Sequence, residues 1–322
     1  MEGFALHDAG KAKEAIPFYD KAIKANPKFT EAYFNRGNAY YDLGENQRAV
    51  ADYSRVLRSS PKDAEAYYNR GNAYRRLKKD ALALQDYSAA IRLKSGDARN
   101  YVNRGSLYFD AKRYALAAKD FSAAIELNPK DAEAYYNRGN SYMALDKKAE
   151  AIGDYTQALS LDVKLVDGYY NRGIAYAGSG ETEKAIEDFS EVLRLEPKFG
   201  DAYYNRALAK AQLGRHESAI DDFSEAMRLD PKDPEPPFNR GIAHLRVEQY
   251  DHAARDFTAV IVLQPRNAQA YVYRGIARTY QKRDDDADDD FQRAFQLDPG
   301  LKGKVQPLID EVKEKVKTKS EK

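Results

Sequence analysis

The chain has 322 residues, 43% of them hydrophobic and 32% charged, which excludes a disordered polymer. Its 52 Lys and Arg balance 51 Asp and Glu, so a net charge of +1 gives no reason to expect nucleic acid or an anionic membrane as partner; the lack of cysteine removes disulfides and thiolate nucleophiles. No apolar run approaches the ~18 residues of a membrane span, and Met1-Glu2-Gly3 does not open a leader peptide, so the compartment is unknown, cytoplasmic by default.

One interval organises the predicted elements. Asn35, Asn69, Asn103, Asn137, Asn171, Asn205 and Asn239 stand 34 residues apart, and the next step reaches Tyr273. Arg follows each, from Arg36 to Arg274, and Gly follows Arg except at Ala207. Eight periods without an insertion are the mark of a solenoid of stacked units. In chain order, residues 1–29 come first, and Gly3, Ala15, Tyr19, Ala22 and Pro27 fall in the same phase. This is a partial unit that begins inside its first helix. It implies either a true start upstream or a chain cut at that point, and the second reading is preferred. A half-unit leaves apolar surface open, which gives a route to self-association through the N-terminal face.

The first full unit covers about residues 30–63. Tyr33, Gly37 and Tyr40 share one helical face at i, i+4, i+7. Leu43-Gly44 stops that helix, because Gly accepts the left-handed conformation. A second helix carries Ala49, Tyr53 and Val56 on one stripe, and Pro61 ends it. Gly37 and Ala49 are small because the two helices approach closely there, and the aromatics fill the space around the contact.

Later units depart locally. Ser95 and Val163 replace the terminal Pro. Pro234, Pro236 and Pro237 in "PKDPEPPFNR" predict a late helix start and a weakened joint with the preceding unit. Lys210, His244 and Arg278 replace the second Tyr, which predicts poorer packing in the last three units. The acidic run "RDDDADDDF" at 283–291 reads as a solvated helix start. Val305, Leu308, Ile309, Val312 and Val316 form an apolar stripe, expected to be a capping helix over 302–316, followed by a frayed tail over 317–322.

This pattern resembles the tetratricopeptide repeat (TPR) family, whose signature of small and aromatic positions is met by Tyr33, Gly37, Tyr40, Ala49, Tyr53 and Pro61 and again in later units. The resemblance covers residues 1–301. It implies an all-α fold, an α-solenoid forming a right-handed TPR superhelix of eight full repeats from residue 30, a truncated N-terminal repeat and a C-terminal cap. It also implies that the first helix of each unit lines a concave groove.

The family pattern has Leu where this chain has Arg before Gly. Sixteen residues after each Arg stands an Asp: Asp52, Asp86, Asp120, Asp154, Asp188, Asp222, Asp256 and Asp290. An Arg at a helix seam is tolerable only with a carboxylate, so the two should pair within one unit. The partial unit agrees, with Glu2 in the Arg place and Phe18 in the Asp place. The alternative is an Arg row that reads an acidic ligand.

By the resemblance, the repeated Asn faces the groove, and its amide offers a donor and an acceptor to an extended peptide. Helices about 8–10 Å apart and a peptide rising about 3.3 Å per residue would place one Asn at about every third ligand residue. The arrangement is similar to the asparagine ladder in the TPR region of the O-linked N-acetylglucosamine transferases. The candidate peptide-binding residues are Asn35, Asn69, Asn103, Asn137, Asn171, Asn205 and Asn239, with Asn38, Asn72 and Asn140 three places on. That second stripe runs Asn38, Asn72, Ser106, Asn140 and then turns aliphatic at Ile174, Leu208, Ile242 and Ile276. Either the groove changes from polar to apolar ligand side chains at mid-chain, or the aliphatics bury against neighbours. Arg75, Arg76 and Arg99 form a basic cluster, but the positions that hold a C-terminal carboxylate in chaperone-binding TPR domains carry aromatics or acids here.

His7, His216, His244 and His252 do not converge in sequence, and no phosphate loop, catalytic triad or paired carboxylates can be assembled. No cofactor or metal is expected. The expected function is a non-enzymatic protein–protein interaction scaffold whose partner is an extended or disordered segment of another protein. The alternative is the substrate-recruiting TPR region of a larger enzyme whose catalytic part is absent. Helical-repeat RNA binding is opposed by the neutral charge and by acids four residues before the Asn, such as Glu65 and Glu133.

Overall fold

The computed structural model describes residues 2–320, and all regular structure among them is α-helical. The chain divides into two compact units, Met1–Val163 and Lys164–Lys322. The first unit stacks five hairpins: α1 (Glu2–Asp8) with α2 (Ala12–Ala25), α3 (Thr30–Asp42) with α4 (Asn46–Ser59), α5 (Ala64–Arg76) with α6 (Asp80–Leu93), α7 (Ala98–Asp110) with α8 (Tyr114–Leu127), and α9 (Ala132–Ala144) with α10 (Lys148–Leu161). The second stacks four: α11 (Val166–Gly178) with α12 (Thr182–Leu195), α13 (Gly200–Gln212) with α14 (His216–Leu229), α15 (Glu235–Arg246) with α16 (Tyr250–Leu263), and α17 (Ala268–Tyr280) with α18 (Asp284–Leu297). It ends on α19 (Leu301–Ser320).

Local signals account for the hairpins. Asp63, Asp131 and Asn267 cap α5, α9 and α17 by accepting the backbone N–H of Ala66, Ala134 and Ala270. The turn inside each hairpin passes through one left-handed residue. It is Gly10, Gly44, Gly180 or Gly214 in four hairpins, and Lys78, Lys112, Asp146, Glu248 or Lys282, at φ of 56–59°, in the others. Between the two helices, a Cβ added to Gly37 would lie 2.8 Å from the Tyr53 ring, and one on Gly139 would lie 2.7 Å from Tyr155. The seam is therefore close enough to favour Gly, and only at Ala207, packed with Phe223, does it hold a methyl group.

Within each unit the first helices of successive hairpins touch, as α3 does α5 and α13 does α15, whereas no two second helices make comparable contact. The first helices therefore lie on the inner side of the stack. Each unit has its own column of second-helix aromatics buried among alanines, Tyr53, Tyr87, Phe121 and Tyr155 in the first and Phe189, Phe223, Phe257 and Phe291 in the second.

Three expectations need correction. The proline-rich first helix α15 does start one residue later in phase than α13, but its joint with α14 is not weakened: Pro236 and Pro237 are buried and serve as packing surface. The last three hairpins are not poorly packed, because the residues that replace tyrosine acquire a carboxylate partner, as described below. The expected tail at 317–322 is helical as far as Ser320, and residues 321–322 lie outside the described residues. Along α19, Ile309 and Val312 are buried against Phe291 and Ile276 and Val305 is partly so, but Leu308 is 40% exposed and lies off the covered stripe.

Candidate functional site

The repeated Arg is structural. In all eight full hairpins its Nε donates to one carboxylate oxygen and its Nη2 to the other oxygen of the Asp sixteen residues on, at 2.6–2.9 Å. Every one of these Asp residues is buried. The remaining Nη1 reaches back to the hairpin before. From Arg70, Arg104 and Arg138 it donates to Ser54, Ser88 and Ser122 at 3.0–3.1 Å; from Arg206, Arg240 and Arg274 it donates to Ser190, Ser224 and Thr258. Arg36 finds Asp20 there. From Arg36 to Arg172 the guanidinium also lies between two rings, as Arg138 does between Tyr135 and Tyr142 at 5.6 and 5.9 Å, whereas Arg206 and Arg274 each keep one ring, Tyr203 and Tyr271. The hydrogen bonds to Asp154 and Asp120 raise the Arg138 and Arg104 guanidinium pKa values above the ordinary value. With Nε and both terminal nitrogens engaged, the Arg row is not a ligand reader. It locks each hairpin and ties it to its predecessor.

Where Lys210, His244 and Arg278 replace the second tyrosine, they turn to the same Asp. Lys210 Nζ lies 2.7 Å from Asp222, Arg278 Nη1 2.6 Å from Asp290, and His244 Nε2 3.7 Å from Asp256. At Lys210 and Arg278 the ring contact is exchanged for a second cation on the carboxylate, while His244 keeps a ring that stacks on His252.

The asparagines form a bonded series on the first helices. Asn38 Oδ1 accepts two hydrogen bonds, from the Tyr53 hydroxyl of its own hairpin at 2.7 Å and from Asn69 Nδ2 of the next at 3.1 Å. Asn72 repeats this with Tyr87 at 2.7 Å and Asn103 at 3.0 Å. Asn140 accepts from Tyr155 at 2.8 Å. In the second unit the hairpin aromatic is Phe and the polar acceptor is gone. There Asn205 Nδ2 donates to the Tyr170 hydroxyl and to its own Asp201 carbonyl, and Asn239 donates to the Tyr204 hydroxyl and the Glu235 carbonyl. One hairpin later Phe238 and Ile242 offer no acceptor, and Tyr273 replaces the Asn and packs edge-on to Phe238 at 5.6 Å.

The mid-chain change from Asn to Ile or Leu thus follows a change of core partner. Tyr pairs with Asn, Phe with an aliphatic: Leu208, Ile242 and Ile276 pack into the clusters of Phe223, Phe257 and Phe291. Ser106, opposite Phe121, turns back to the Val102 carbonyl. The ladder residues are all half-buried, Asn35 and Asn137 included. Asn35 lines a cavity of about 880 Å³ between α1, α2 and α3, beside the buried and unpartnered Tyr19 hydroxyl, whose acceptor place in this register is taken by Phe4. Three further cavities of about 300, 440 and 250 Å³ follow one another along the first helices of unit one, lined by Asn38, Asn69, Asn72, Asn103, Asn137 and Asn140.

The sequence reading missed the Ser or Thr sixteen residues before each Arg from Arg70 to Arg274. The signal was there, as Asp-(Tyr/Phe)-(Ser/Thr) in seven hairpins from Asp52-Tyr53-Ser54 to Asp256-Phe257-Thr258.

Models of the TPR repeat match residues 3–44, 37–78 and 105–146, and models of the tetratricopeptide repeat match 64–97, 132–164, 170–234 and 238–301. A search of curated proteins gives no match. Among solved structures, the C-terminal part of a TPR repeat-containing protein from Cytophaga hutchinsonii is similar at TM-score 0.57 and 18% identity, over 84% of this chain and 96% of that one. YrrB, described as a TPR protein with an unusual peptide-binding site, is similar at TM-score 0.53 and 21% identity, over 61% and 97%. MamA is similar at 0.51 and 26%, over 52% and 92%. TPR arrays act as protein–protein interaction scaffolds, and every family match is to a repeat model. The repeats cover most of the chain, which belongs to the tetratricopeptide repeat family.

Proposed function

We propose that the chain is a non-catalytic scaffold that holds an extended segment of another protein along its first helices, through Asn69, Asn103, Asn137, Asn171, Asn205 and Asn239, with Asn35 beside the cavity of the first hairpin. The observation that carries this reading is the state of the rung amides. The nitrogens of Asn69 and Asn103 are held by the preceding hairpin, and those of Asn205 and Asn239 by a Tyr hydroxyl and a backbone carbonyl, while the four carbonyl oxygens have no hydrogen-bond partner among the described residues. These four rungs are fixed in orientation, and each offers an acceptor to a peptide N–H. Asn38, Asn72 and Asn140 are then orienting residues rather than contacts, since Tyr53, Tyr87 and Tyr155 use their carbonyl oxygens. Backbone-directed binding of this kind tolerates many ligand sequences. YrrB, with its described peptide-binding site, shares the fold.

The test is an array of unstructured 15-residue peptides probed with wild type and with Asn69, Asn103 and Asn137 changed together to Ala, both checked for equal helicity. Capture should fall in the triple variant, and peptides N-methylated on alternate amides should bind wild type poorly. Equal capture by both proteins would sink the ladder.

A further inference from the structure

One cavity on the inner face differs from its neighbours. The space of about 440 Å³ in unit one is lined by Tyr41, Tyr68, Asn72, Asn103 and three cations, Arg75, Arg76 and Lys78, with no acid among the described lining residues. Arg76 is held in place: it stacks on Tyr41 at 3.6 Å and donates to the Tyr41 carbonyl at 2.7 Å. Arg99, the third arginine of the cluster, stacks on Tyr68 at 4.5 Å and is paired with Asp97 and Glu65. Arg75 is different. It is half-buried, makes no hydrogen bond or ion pair with any described residue, and lines both this cavity and the adjoining one with Ser106, Asn137 and Asn140. Glu133 and Asp110 border that second cavity, but neither comes within ion-pair distance of Arg75.

The 34-residue register sharpens the point. Tyr41, Phe109 and Met143 occupy the place of Arg75 in neighbouring hairpins, no other full hairpin has Lys, Arg, Asp or Glu there, and His7 of the first, partial hairpin is bonded to Asp42. The last turn of a helix favours a cation through its dipole, but that does not explain one left unpaired beside two rungs. A guanidinium presents a fork that matches a carboxylate.

We propose that Arg75, supported by Arg76 and Lys78, takes an Asp or Glu side chain of the segment bound along the rungs. This rests on the ladder reading and deepens it: Asn72 and Asn103 line the same cavity, so a peptide passing Asn103 brings a side chain to Arg75. The chain would select an acidic residue at one ligand position and be permissive elsewhere.

The probes are two fluorescein-labelled, C-terminally amidated 15-residue Gly/Ser/Ala peptides, one with a central Asp-Glu-Asp and one with Asn-Gln-Asn, read by anisotropy with the full chain. The acidic peptide should bind on the order of tenfold tighter or more, and Arg75→Gln should remove that preference while binding of the amide peptide and the melting temperature stay unchanged. Equal binding of the two peptides to wild type, or a preference that survives Arg75→Gln, overturns the proposal and leaves the ladder standing. Acetate that competes at the same concentration as the acidic peptide also overturns it, because the site would then read a free anion. The Asn69/Asn103/Asn137→Ala variant separates the two ideas: unchanged binding of the amide peptide counts against the ladder alone.

Discussion

Arg138 holds Asp154 through two parallel hydrogen bonds of 2.7 Å and, with its third nitrogen, bonds Ser122 of the preceding hairpin at 3.0 Å. One side chain therefore fixes both the angle within a hairpin and the contact between hairpins. Arg138→Ala leaves a buried carboxylate unpaired and should destabilise by about 3–5 kcal/mol, whereas Arg138→Met with Asp154→Leu should recover most of the loss. Ser122→Ala removes only the inter-hairpin bond and should cost about 0.5–1.5 kcal/mol. Urea denaturation of the three variants checks the order; an Arg138→Ala chain as stable as wild type would contradict the assignment.

Tyr87 and Asn72 should be coupled. Tyr87→Phe removes one donor to Asn72 and should cost about 0.5–1.5 kcal/mol; Asn72→Leu strands the buried hydroxyl and should cost about 1–3 kcal/mol. The double variant recreates the Phe223–Leu208 arrangement and frees Asn103 to donate to Tyr68, which stands in the register of Tyr170. It should be more stable than the sum of the single variants by about 0.5–1.5 kcal/mol. A double-mutant cycle that is additive would refute the coupling.

Asn100 is 1% exposed, and its carbonyl oxygen has no partner among the described residues, in a register filled by Ala66 and Ala134 in the neighbouring hairpins. Asn100→Ala should raise stability by about 1–3 kcal/mol, seen as a higher urea midpoint with an unchanged slope.

His244 is buried against Gln249, stacked on His252 at 5.1 Å and set near Asp256, with Arg240 on the same carboxylate. Burial lowers its pKa below the ordinary 6.5. A depressed histidine is neutral in the native state, so the stability it contributes is full above the unfolded value and falls as the pH drops from about 6.5 through the lowered native value. His244→Tyr restores the ring found at Tyr176 and should flatten the melting temperature across that window; an equally steep profile in the variant would place the titration elsewhere.

Lys112 occupies the left-handed turn position with φ of 58°, where Gly44 and Gly180 stand in other hairpins. Lys112→Gly relieves the Cβ clash and should stabilise by about 0.5–1 kcal/mol, net of the greater chain entropy of Gly. A drop in thermal midpoint would show that the turn is unstrained.

The sequence by itself determined the hairpins, their period and the Arg–Asp pairing. Each follows from interactions within one 34-residue unit, where helical periodicity, a left-handed turn and a buried cation's need for a carboxylate leave few arrangements. What only the tertiary structure decided lies between units. Ser122 as the third partner of Arg138, Asn38 as acceptor for Asn69, and Tyr170 as its replacement for Asn205 all depend on how one hairpin seats on the next, which spacing along the chain does not specify. The same holds for Lys210 and Arg278, which break the aromatic pattern in sequence yet close onto a carboxylate in space. It holds too for Arg75, one of several arginines in the sequence but, once folded, without an ion-pair partner among the described residues, whereas Arg76 is taken up by Tyr41 and Arg99 by Glu65, which the stacking brings near.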